Sequence, residues 1–257
     1  MTFSHKQVLN ANKDFYNKEA KNYLANESYA YTEEIISDVR RLLALGAGLC
    51  ESRGVFLDVA CGNGFLSMIT KELNLFDSGI GIDVSEAQIE IYDRNLKNTN
   101  YKGLVGDVAN LDFNDATFDM IGGYSVLHHF FDYYKALREL SRVLKQGGIM
   151  YFDFEPNFYF KRLAKVPIFF RRKLINCCTK KDLTQLENIA EYHNNYVCGI
   201  NYLHLSNYLN GLGFDVIALG KRIPGIFGSE ILSGLSRVSM QFSPCFYIIA
   251  KKNKINL

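Results

Sequence analysis

The chain has 257 residues, 48% hydrophobic and 22% charged, an ordinary globular composition that suits one large domain or a domain carrying a sizeable insertion. A formal net charge of +2 gives no global electrostatic case for nucleic acid, and no run approaches the roughly 20 apolar residues of a membrane span. The cysteines (Cys50, Cys61, Cys177, Cys178, Cys198, Cys245) form no CxxC pair and have no regular spacing. They read as reduced thiols of a cytoplasmic protein, not as a disulfide frame or metal site, and the N-terminus lacks the apolar stretch of a secretory signal.

The N-terminal stretch, polar and bearing Tyr16, Tyr23, Tyr29 and Tyr31, predicts a helical arm outside the main core. Residues 32–45 predict a helix: Thr32 caps it, Glu33 and Glu34 favour its positive end, and Ile35, Val39, Leu42 and Leu43 form one stripe, with Gly46 and Gly48 as its stop. From Gly54 the pattern alternates. Strands are expected at 55–59, 79–83, 103–106, 118–124 and 147–155, and helices at 65–73, 85–96 (opened by a Ser85…Gln88 capping box) and 133–144. Such alternation indicates right-handed βαβ units and a parallel sheet. The basic, aromatic stretch from Pro156 breaks the rhythm and fits an inserted cap. A helix at 201–214 and strands at 214–220 and 245–252 then close the chain, suggesting an antiparallel edge. The expected organisation is a lid and first helix over 1–48, a ligand-binding core over 49–155, a cap over 156–200 and completion of the core over 201–257. The fold class is α/β: a doubly wound, mostly parallel seven-stranded sheet with an antiparallel edge strand.

Ligands of open α/β sheets sit outside the carboxyl ends of the strands, and Asp58, Asp83 and Asp107 fall at such ends. A dinucleotide fits poorly: Ser67 stands where GxGxxG needs its third glycine, Asp58 would repel a pyrophosphate, and no GxxxxGK[ST] lysine is present. A ligand with a cationic amino-acid end and a nucleoside end fits better. Gly62 and Gly64 allow close backbone approach. Asp58 can serve its ammonium directly or by ordering the loop, Asp83 two ribose hydroxyls, and Asp107 an adenine amino group, with Val84 and Val108 against the ring. That ligand is S-adenosylmethionine.

The motifs "LDVACGNG", "GIDVS", "GDVANLDF", "FDMIGGYSVLHHF" and "LKQGGIMYFDF" occur in order, with the three acids about 25 residues apart, one helix plus one strand each. On these the sequence resembles the class I, seven-strand, Rossmann-like S-adenosylmethionine-dependent methyltransferases of small-molecule type, over roughly residues 54–155. The resemblance implies cofactor contacts from Asp58, Ala60 (often glycine in the family), Cys61, Gly62, Asn63, Gly64, Asp83, Val84, Asp107, Val108 and Ser125. It also implies an N-terminal helix over the cofactor, with Tyr16 and Tyr23 as contacts, and S-adenosylhomocysteine as product.

Methyl transfer is an in-line displacement that mainly requires alignment, with a general base where the methyl acceptor carries a proton. The candidate bases are His128, His129, Asp153 and Glu155; candidate acceptor contacts in the cap are His193 and Tyr196. The expected activity is methyl transfer to an O or N atom of an apolar or aromatic small molecule. Alternatives are action on a lipid or quinone at a membrane surface, a non-catalytic cofactor-binding scaffold, an NAD-dependent oxidoreductase, or transfer of another group from the same cofactor. No nucleic-acid partner is expected, peripheral membrane contact stays open, and the sequence does not set the oligomeric state.

Overall fold

A computed structural model describes residues 3–20, 28–163, 189–193, 197–223 and 239–254. Strands β1 (Val55–Val59), β2 (Ser78–Asp83), β3 (Tyr101–Val105), β4 (Phe118–Tyr124), β5 (Leu144–Pro156), β6 (Phe214–Arg222) and β7 (Cys245–Lys252) form one sheet in the order β3-β2-β1-β4-β5-β7-β6. The first five are mutually parallel, and β7 runs antiparallel to both of its neighbours. The chain winds outward from β1 to β3 and then returns to β4. The order therefore reverses beside β1, and the crevice at a switch point opens at the carboxyl ends of β1 and β4.

The helices are α1 (His5–Glu19), α2 (Glu33–Leu49), α3 (Phe65–Glu72), α4 (Glu86–Asn95), α5 (Tyr133–Val143), α6 (Phe158–Leu163) and α7 (Tyr202–Gly211). Side chains alternate across the sheet, so each strand feeds two cores. Leu57, Ile121, Met150 and Phe152 pack with Leu137 and Leu140 of α5 and Leu205 and Leu209 of α7. Phe56, Met120, Ile149 and Tyr151 pack with Leu42 and Leu43 of α2, Leu66 and Ile69 of α3, and Ile89 and Tyr92 of α4.

Three local readings change. Helix α2 does not stop at Gly46 but runs to Leu49. A Cβ on Gly46 would lie 2.7 Å from Met120 Cε, so that glycine lets the helix approach the sheet rather than ending it. Strand β5 starts at Leu144, three residues before the glycine turn, with a register shift opposite Phe118 and Met120. The expected antiparallel edge is present: β7 inserts between β5 and β6 and pairs antiparallel with both. The Ser85…Gln88 box forms only in part: Ser85 Oγ accepts from Gln88 N–H at 3.2 Å, but the Gln88 amide makes no return bond. A complete box occurs instead at α1, between Ser4 and Gln7.

Helix α1, expected as an arm outside the core, is tied to it. Lys13 and Asn17 bond the Glu86 carboxylate, and Asn17 Oδ1 accepts from Ser85 Oγ (2.7 Å) and Ala87 N–H (3.1 Å) at the start of α4. At its other end His5 Nε2 lies 2.9 Å from Asp107 Oδ2. The helix thus crosses the mouth of the crevice. Of the cap, α6 and residues 189–193 and 197–200 are described, with Asn157 bridging Ile200. Most of the basic–aromatic stretch lies outside the described residues.

Candidate active site

The crevice and the solvent at its open mouth together span about 1020 Å³. The loop after β1 supplies Asp58, Ala60, Cys61, Gly62 and Asn63; β2 and its turn supply Asp83 and Val84; the loop after β3 supplies Asp107 and Val108; Ser125 and His129 follow β4. The cofactor residues named at these strand ends from sequence therefore share one cavity, except Gly64, which does not line it. Gly64 is the N-cap of α3, at φ +88. Its left-handed backbone explains the glycine, since a Cβ there would also meet Tyr92 Cδ2 at 2.8 Å. Ala60 and Ser125 hold positive φ too (47 and 60), a conformation costing a non-glycine residue about 1–3 kcal/mol. Ala60's backbone also accounts for the glycine that the resembling family often carries there.

Asp58, 2% exposed, turns Oδ2 to the start of α3, accepting from Ser67 N–H (3.0 Å) and Ser67 Oγ (2.8 Å). Burial nevertheless pushes its carboxyl up to about 7, against the lowering effect of those two bonds. The helix N-terminus that would receive a phosphate in a dinucleotide fold is thus occupied by a carboxylate. Asp83 accepts from Gly62 N–H and Ser85 N–H, each at 2.9 Å, and burial raises its carboxyl above the usual range. Asp107 Oδ1 accepts from Ala109 N–H at 2.9 Å. Among the described residues no lysine or arginine lines the cavity.

These features fit S-adenosylmethionine. Four lining aspartates (Asp58, Asp83, Asp107 and Asp132) without a lysine or arginine among the described residues suit a cationic nucleoside conjugate and oppose a phosphate. A Cβ on Gly62 would find only Gln88 Oε1, at 3.9 Å, so the loop leaves room for close approach. Gln88 lines the cavity with both amide atoms buried and unpartnered, which suits a ligand hydroxyl that donates and accepts at once. Sequence reasoning had assigned Gln88 to the helix cap and missed this.

The four candidate bases separate. His129 lines the cavity; its Nδ1–H donates to the Ala190 carbonyl (3.1 Å), so Nε2 accepts from the Tyr16 hydroxyl (3.0 Å). Burial, helped by neighbouring His128, brings its pKa down to about 4 and keeps the ring neutral. His128 is buried behind it: Nδ1–H donates to Glu155 (3.0 Å), and Nε2 lies 3.6 Å from Glu191. Burial opposes its charge, but Glu191 and Glu155 outweigh this and raise the pKa. Glu155 also accepts from Val126 N–H and Leu127 N–H, both at 2.8 Å, so it fixes the loop after β4. Asp153 pairs with Arg222 (Nε 2.8 Å) and Tyr151 inside the core. His128, Asp153 and Glu155 do not line the cavity.

His193 is not a cavity residue either: its Nε2–H donates to the Phe131 carbonyl (3.2 Å) and braces the loop that lines the far wall. Tyr23 and Tyr196 lie outside the described residues. Tyr16 reaches the cavity on the α1 face that also carries His5, Val8, Leu9 and Asn12. Aromatic rings line the cavity from two groups: Tyr31, Phe65 and Tyr124 pack on one another, and Phe130 and Phe131 follow the loop after β4, with Phe131 against His5. The period 5, 8/9, 12, 16 was a readable helical signal for the roof.

Residues 57–152 match the methyltransferase domain family. Over 96 residues the chain is 38% identical to a demethylmenaquinone methyltransferase of Staphylococcus saprophyticus, covering 37% of this chain and 41% of that relative. The protein of that name from Staphylococcus haemolyticus is 36% identical over 96 residues, with 37% and 40% covered. The chain therefore spans about two fifths of the length of these curated relatives. Among solved structures, a chain from the complex of the Haloferax volcanii Trm112 methyltransferase activator with a methyltransferase superposes with TM-score 0.62 at 12% identity, covering 98% of this chain and 100% of that one. An S-adenosylmethionine dependent methyltransferase from Mesorhizobium loti gives 0.57 at 16% identity, covering 84% and 100%. At such identities these two likenesses carry the fold. The matched residues 57–152 lie at the switch point of a seven-strand sheet that has the fold of these methyltransferase structures.

Proposed function

We propose that the protein transfers a methyl group from S-adenosylmethionine to an oxygen or nitrogen atom of an apolar, ring-bearing small molecule, with His129 as the proton acceptor. When bound, the cofactor supplies a methyl carbon attached to a positively charged sulfur. The rest falls to the chain. Gly62, Asp83, Gln88 and Asp107 hold the nucleoside end, and Asp58 orders the loop beneath it. The aromatic rings of Tyr31, Phe130 and Phe131 receive the methyl acceptor and exclude water. The relatives named for demethylmenaquinone favour, within this class, a quinone-type ring in its reduced, hydroxyl-bearing form.

The neutral His129–Tyr16 pair inside the cavity is the observation that carries this reading. A proton leaving the nucleophile passes to the Tyr16 oxygen while the Tyr16 proton moves to His129 Nε2. Nδ1–H keeps its bond to the Ala190 carbonyl, and Glu191, 3.6 Å from Nδ1, faces the imidazolium charge. That charge replaces, in the same cavity, the one that methyl transfer removes.

The test is turnover of labelled S-adenosylmethionine against a panel of hydroxyarenes, quinols and aryl amines. His129→Gln should lower kcat by about a hundredfold or more, the usual contribution of a positioned base, while S-adenosylhomocysteine still binds. Undiminished kcat in the variant would remove His129 from the chemistry.

A further inference from the structure

We infer that Asn12 reads the proton on the incoming methyl acceptor, so that the site takes a neutral O–H or N–H compound and turns away a pre-formed anion. The inference rests on the methyltransferase reading and adds to it a selecting residue and a charge state for the substrate.

Asn12 sits on the cavity face of α1, 7% exposed. Its Nδ2 donates to the Val8 carbonyl (2.9 Å) and to the His129 carbonyl (3.1 Å). Those two acceptors fix the amide's orientation, since the flipped amide would set oxygen against two carbonyl oxygens. Oδ1 is left shut away from solvent without a donor. A buried acceptor without a partner is costly, and a donor from within the cavity relieves that cost.

The neighbouring groups ask for the same thing. The Tyr16 hydroxyl gives its proton to His129 Nε2, and His129 gives its Nδ1–H to Ala190. Both protons on this wall, like the Asn12 amide protons, are already directed at protein acceptors. The acceptor that stays open on this wall is Asn12 Oδ1, and no lysine or arginine among the described residues lines the cavity to receive an anion. A carboxylate, phosphate or phenolate would meet oxygens. A hydroxyl or N–H on an apolar ring would meet Asn12 Oδ1 with its hydrogen while the ring lies against Phe130 and Phe131.

The experiment uses the full chain saturated with S-adenosylhomocysteine and three probes of one shape: 1-naphthol, naphthalene and 1-naphthoate. Calorimetry should rank 1-naphthol tightest and 1-naphthoate weakest. In Asn12→Leu the preference for 1-naphthol over naphthalene should shrink about three- to tenfold, the size of one neutral hydrogen bond. Asn12→Ser, a smaller change, should shift the ratio the same way. Loosening of α1 alone would weaken all three probes together and leave the ratio unmoved. An unchanged ratio in folded variants overturns the inference, as does a wild-type protein that prefers 1-naphthoate, fails to separate 1-naphthol from naphthalene, or binds none of them. If S-adenosylhomocysteine itself does not bind, the cofactor reading fails first, and the two failures are thereby told apart.

Discussion

Asp58 ends β1 with its carboxylate turned to Ser67 at the start of α3, and burial holds its pKa near 7. The sign of the linkage follows. A carboxyl raised above its ordinary 3.8 contributes stability that is fully present below 3.8 and lost as pH rises through about 7. A positively charged ligand favours the ionised form, so binding S-adenosylmethionine near pH 7 should release a proton. Calorimetry in buffers of different ionisation enthalpy should give different apparent binding enthalpies, and Asp58→Asn should abolish the difference. A buffer-independent enthalpy in the wild type would show that Asp58 does not respond to the ligand. The three acids were legible because each closes a strand and opens a loop. The split among His128, His129, Asp153 and Glu155 was not. Adjacent histidines look alike in sequence; what separates them is Glu155, which holds His128 and the loop amides and leaves His129 to the cavity. Gln88 was masked by a legitimate capping pattern, and Asn12 by an arm in which most residues are polar.

At the scale of elements, α1 changes most between sequence and structure. Its tyrosines suggested a lid, but the grip that seats it comes from Asn17, which caps the start of α4 from outside that helix. Asn17→Ala should cost about 1 kcal/mol, as lost caps do, and should raise amide hydrogen exchange across residues 5–19 more than in the sheet. Exchange unchanged in α1 would mean that its apolar contacts through Val8 and Leu9 suffice. Helix α2 shows why a glycine is an ambiguous stop signal. Gly46 serves packing against Met120, which sequence alone does not separate from helix termination. Helices and strands with clean periodicity were readable to within a few residues; the early start of β5 was hidden because Leu144 pairs with Phe118 across a register shift that the sequence pattern does not show.

Across the whole molecule, βα alternation made the parallel half of the sheet legible, and the five motifs placed the crevice. The position of β7 was not legible, because two terminal strands can pair with either one outermost. With β7 inserted, the end of β6 brings Arg222 to Asp153 inside the core and to Asp38 of α2 (2.9 Å), tying the last strands to the first half of the fold. Asp153 thereby serves the architecture rather than the cavity. The claim on which the functional reading turns is that this switch-point crevice takes a nucleoside conjugate without phosphate. Isothermal calorimetry with S-adenosylhomocysteine and NAD⁺ in competition, on wild type and Asp83→Ala, tests it most directly. S-adenosylhomocysteine should bind, NAD⁺ should not displace it, and Asp83→Ala should weaken binding by about 1–3 kcal/mol, the loss of hydrogen bonds to a charged group. Displacement by NAD⁺, or undiminished affinity in a folded Asp83→Ala protein, would contradict it.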